Sequence, residues 1–374
     1  VISAAVRNPD QNLRLHAVKV LGELLQCRKQ RFGEAEDARS KDGQAGGEDE
    51  TTLPLWEAVL DEILQVAAAS LQDAAHGVRA VAVGALGYLL PEDWLSSNAS
   101  ERGETSALVR RSFVDAFVRE TETERPNEGV LSSLFFCGGR VFLMACGDAV
   151  EDRRTGTDDA IAVDFLVALL DTRILARLLR GFGESNASTT RLQAITGLAS
   201  ISEGVLMLLD AASNDEEETQ PSSDEAPPRR ASVLSFLSID GLHLGQLIEL
   251  AAETMMHPAQ LSKGHQERIL SAAVKLVAFS LAVWLSLLQD GEEQPKQLID
   301  MAVLMKRVIC LDESLDETES AVEPPRESPL YTWKLRGLVA HRAGLLLERV
   351  RSGRAPPEWV VVLLDALSSV LSIT

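Results

Sequence analysis

Aromatic residues make up only 5% of this 374-residue chain, against 45% for hydrophobic residues as a whole, and just two of them are tyrosine. The apolar content is therefore mostly Leu, Ala and Val. Long Val/Ile/Tyr/Thr alternations are missing, which argues against sheet and for helix. Cysteine is also sparse. Cys27, Cys137, Cys146 and Cys310 are scattered, without the close pairing of a zinc site or a redox motif, and they fit a reducing intracellular compartment, cytoplasmic or nuclear. The six histidines form no His-x-x-x-His or His-Glu pair, and no Gly-x-Ser-x-Gly elbow occurs. Metal-dependent and elbow-type hydrolytic chemistry thus have no sequence support, and no catalytic residue, cofactor or metal ligand is assigned.

Two short motifs invite a catalytic reading that their surroundings do not support. Gly181-Phe182-Gly183 is half of a dinucleotide fingerprint and follows an Arg-rich helical pattern instead of a strand, so it reads as a helix-ending turn. Cys137-Gly138-Gly139-Arg140 has no base nearby and reads as a kink or turn between two helices.

A broad basic field is also lacking, so nucleic acid is not an expected partner. The formal charge of −20 is concentrated. Residues 33–52 hold seven acidic against two basic residues, 213–230 six against two, and 312–328 seven against one, leaving about −5 for everything else. These three segments are also rich in turn-forming residues and read as acidic flexible loops.

The remainder carries apolar residues at helical spacing. Leu13, Ala17, Val20, Leu21 and Leu24 form one stripe, and Val78, Val81, Ala82, Ala85, Leu86 and Leu89 another. Pro54 and Pro356-Pro357 open two more helices. Helical patterns also cover 106–119, 130–147, 158–180, 188–209, 231–256, 265–289, 296–311 and 330–351. The chain opens on Val1 and closes on Thr374 after an apolar run, and reads as a piece of a longer protein.

The helices repeat. A shift of 65 residues places Leu13-Arg14, Ala17 and Leu21-Gly22 onto Val78-Arg79, Ala82 and Leu86-Gly87, with Asn8 on Asp73. A weaker third copy has Arg191, Ala194, Leu198 and Ile201 at the same offsets. Discounting 34–52 as loop reduces the spacing to 46, within the roughly 40–47 residues of HEAT and armadillo repeats. An Asp or Asn, then an aliphatic-Arg pair five residues on, then Ala and Leu-Gly, resembles the second helix of a HEAT repeat. That resemblance implies an all-α solenoid of stacked antiparallel helix pairs, here a single array over 1–374. It also implies a structural ladder between neighbouring repeats, carried by Arg14, Asp73, Arg79 and Arg191.

Three features bear on partners. Lys334, Arg336, Arg342 and Arg349 belong to a stretch between Tyr331 and Arg354 whose only acid is Glu348; they form a candidate docking strip for an acidic protein. Arg229-Arg230-Ala231-Ser232 resembles the substrate pattern of basophilic kinases, and Ser328-Pro329 that of proline-directed kinases, which makes Ser232 and Ser328 candidate phosphorylation sites. The apolar run 269–288 is long enough to raise a membrane question, but Lys275 argues for burial among neighbouring helices. The expected function is a non-catalytic scaffold or adaptor that binds other proteins through a helical-repeat surface. The alternatives are a membrane-associated protein using helix 269–288, or an enzyme whose site is assembled from dispersed residues.

Overall fold

The computed structural model describes residues 2–42, 53–96, 101–155, 161–218, 244–257, 264–287, 297–310, 333–349 and 357–371. Among them every regular element is an α-helix and no strand occurs. The described residues fall into two compact units, one up to Gly197 and one from Leu198 onward.

The first unit holds α1 (Ile2–Val6), α2 (Gln11–Asp42), α3 (Leu53–Ser70), α4 (His76–Leu86), α5 (Pro91–Leu95), α6 (Glu101–Glu122), α7 (Glu128–Thr155), α8 (Ile161–Asp171), α9 (Ile174–Glu184) and the start of α10 (Ser188–Glu218). Alternate helices pack in rows: α1, α3 and α6 in one, and α2, α4 and α7 in the other. Each helix buries one apolar stripe, as in α4, where Val78, Ala82, Val83, Ala85 and Leu86 are buried. Such a stripe needs a neighbour on each side, which the row supplies.

The second unit holds the rest of α10 with α11 (Leu244–Met256), α12 (Gln266–Leu287), α13 (Gln297–Cys310), α14 (Trp333–Leu347) and α15 (Glu358–Leu371). Here α13 packs on α11 and α15, and α12 on α11 and α14. Helix α12 is apolar all round: Ile269, Leu270, Ala272–Val274 and Leu276–Val283 are all buried, and Ser280 meets Ser202 of α10 at 3.3 Å.

Several sequence expectations are corrected. Helix α2 continues to Asp42 and α10 to Glu218, so parts of the segments 33–52 and 213–230 read as loops are helical. Charged residues such as Glu and Lys have good helix propensity and need no core contact to extend a helix already nucleated by packing. Their remainders, and all of 312–328, lie outside the described residues. The single pattern over 158–180 is broken into α8 and α9 at Arg173, whose φ of 56° is left-handed; its N–H donates to Leu170 O at 2.8 Å, closing α8.

The glycines of Cys137-Gly138-Gly139-Arg140 make no kink, since α7 runs unbroken through them. They permit close packing instead: a Cβ on Gly139 would lie 2.4 Å from Gly197 Cα in α10, so the two helices cross backbone on backbone. Gly181 likewise sits inside α9, where a Cβ would fall 2.1 Å from Cε2 of Phe135.

Candidate functional site

The site in the first unit is built on arginines near the starts of helices α2, α4 and α9. In α2, Arg14 Nη1 donates to the carbonyls of Asn8 and Pro9, each at 3.0 Å, so it closes the turn that leads into its own helix. Its Nε and Nη2 reach across to Asp73 Oδ2 and Oδ1 at 2.7 and 3.0 Å. In α4, Arg79 Nη1 donates to the carbonyls of Asp73 and Ala74 at 2.8 and 3.1 Å, again six and five residues before the arginine. Its Nε lies 2.9 Å from Glu120 Oε1 of α6, and its Nη2 donates to Oε2 at 3.3 Å.

Asp73 therefore serves two rungs at once: its carboxylate receives Arg14 and its carbonyl receives Arg79. Its Oδ1 also accepts the Ala75 N–H at 2.8 Å, fixing the turn before α4. The Arg14 hydrogen bonds hold the Asp73 carboxyl below its usual range against the opposing effect of burial, and Asp73 in turn raises Arg14.

A third arginine does similar work in α9. Arg177 donates through Nε to Thr172 O, through Nη1 to Thr121 Oγ1, and through Nη2 to Glu122 Oε1 at 2.8 Å. The sequence repeat pointed to Arg191 here. Arg191 instead lies over the Phe182 ring at 4.9 Å, and among the described residues it donates to no carboxylate. Arg177 was missed because no copy of the Ala and Leu-Gly pattern follows it; the available signal was an arginine early in a helix with Thr172 five residues before it.

Beside Arg177 opens a cavity of about 370 Å³, between the corner joining α6 to α7 and one side of α9. Its apolar lining is Pro126, Leu131 and Phe135. Phe135 ends a run of ring contacts from Phe165 through Trp94, Phe113 and Phe117, with centroids 5.6 to 6.2 Å apart, so that wall is held by the aromatic core. The missing side chain at Gly181 lets Phe135 occupy its place. Four carboxylates, Glu122, Glu124, Glu128 and Glu184, line the opening with two guanidiniums, Arg177 and Arg180. Glu122 is taken up by Arg177, and Glu128 accepts the Ser185 hydroxyl at 2.8 Å.

The basic strip falls in the second unit and is largely committed within the chain. Arg336 donates from Nε and Nη2 to Ile309 O at 3.0 and 2.5 Å, closing the end of α13. Arg342 stacks over the Phe279 ring at 4.6 Å. Arg349 binds Asp210, with Nη2 to Oδ2 at 2.6 Å, which raises its pKa. Lys334 is exposed. Three of the four side chains thus have partners within the chain, because helix carbonyls, an aromatic face and a carboxylate lie within reach of these long side chains. Ser232 and Ser328 lie outside the described residues.

Nucleophilic chemistry gains no support from the two inner cysteines. Both are buried, which pushes the Cys137 thiol up to about 12 and the Cys146 thiol upward as well. Among the described residues no group of three His, Cys, Asp or Glu is placed to hold a metal.

No protein-family model and no curated protein matches the chain. Among solved structures, the crystal structure of an engineered protein from the Northeast Structural Genomics Consortium aligns with 100% of this chain and 93% of its own, at 13% identity and a TM-score of 0.18. At that score the likeness carries no argument about fold or function.

Among the described residues, three helical stretches are long and apolar enough to cross a membrane by length and composition: Glu128–Glu151, Ser188–Ala211 and Gln266–Leu287. Only the last of these falls on the run 269–288 that the sequence singles out.

Proposed function

We propose that the chain is a HEAT-like stack of helix pairs that serves as a non-catalytic scaffold or adaptor for other proteins inside the cell. The observation that carries this reading is the recurrence of one rung: Arg14 and Arg79 donate to carbonyls at the same offsets, and each also pairs with an acid belonging to a following helix or the turn before it. A rung of this kind ties each helix pair to the next, so a chain of pairs grows by repetition and buries its stripes without closing on itself. Such growth leaves outward helix faces uncommitted, and these supply the partner surface. The alternating rows in the second unit fit the same plan.

The test is affinity capture of the chain from a detergent-free lysate, with mass spectrometry of what survives a moderate salt wash. A protein retained in stoichiometric amount is the expected result. A soluble chain that retains nothing overturns the scaffold reading. The three apolar stretches favour a second reading, a membrane-associated protein, with Gln266–Leu287 the most hydropathic of the three; recovery of the chain only from the membrane pellet would select it.

A further inference from the structure

We draw no further inference here: the strongest candidate, the surface patch on α7 where the exposed ring of Phe136 lies beneath the guanidinium of Arg140 at 5.6 Å, carries nothing, because nothing in the structure shows what covers it.

Discussion

Arg14 grips Asp73 through two parallel hydrogen bonds, Nε to Oδ2 at 2.7 Å and Nη2 to Oδ1 at 3.0 Å, and spans 59 residues of chain in doing so. The fork meets the carboxylate edge to edge, the geometry in which an arginine gives most direction to an ion pair.

Because the Asp73 carboxyl is held below its usual range, its contribution to stability is fully present above the unfolded value of about 3.9 and is lost as the pH falls through the lower folded value. Asp73→Asn should therefore lower the urea midpoint near pH 7, and the gap to the parent should close on acidification below about pH 4. A gap that does not depend on pH would show that the rung acts through shape alone.

The crossing of α7 and α10 at Gly139 and Gly197 gives a prediction with an internal control. Gly139→Ala places a methyl group against backbone that cannot move aside and should cost about 1–3 kcal/mol or more. Gly84→Ala, in a helix interior with nothing within 4 Å, should stabilise by up to about 1 kcal/mol. Denaturant midpoints of the two variants should move in opposite directions.

Thiol accessibility should separate the cysteines. Cys27 is exposed, and Cys137 and Cys146 are buried with their thiols raised. A disulfide reagent at pH 8 should label Cys27 rapidly in the folded chain and reach Cys137 and Cys146 only in denaturant. Fast native labelling of either buried thiol, mapped by peptide mass, would contradict the packing of α7.

Arg173 is exposed and left-handed, a conformation costing a side-chain-bearing residue roughly 1–2 kcal/mol. Glycine relieves that strain and gives back part of the gain through its freer unfolded state. Arg173→Gly should thus raise stability by on the order of 0.5–1 kcal/mol, read as a higher urea midpoint.

Much of the helical content was legible because it is local. Leu55, Val78 and Leu298 lie in apolar patterns that recur every three or four residues, and such patterns need no knowledge of distant chain. The repeat pairing Arg14 with Arg79 was also visible, since both copies keep Ala and Leu-Gly at fixed offsets. The third rung was not, because no copy of Ala and Leu-Gly follows Arg177. The glycines were misread for another reason: Gly139 looks like a helix breaker until Gly197 is set against it.

The sequence by itself determined the all-helical class and the matching positions of Arg14 and Arg79, both of which depend on residue type and short-range spacing. Only the tertiary structure decided that Arg336, Arg342 and Arg349 are used internally, that α7 passes straight through its glycines, and that a cavity with an acidic rim opens beside Arg177. Each of those depends on which side chains from distant helices come within a few ångströms of one another, and packing sets that distance where periodicity cannot.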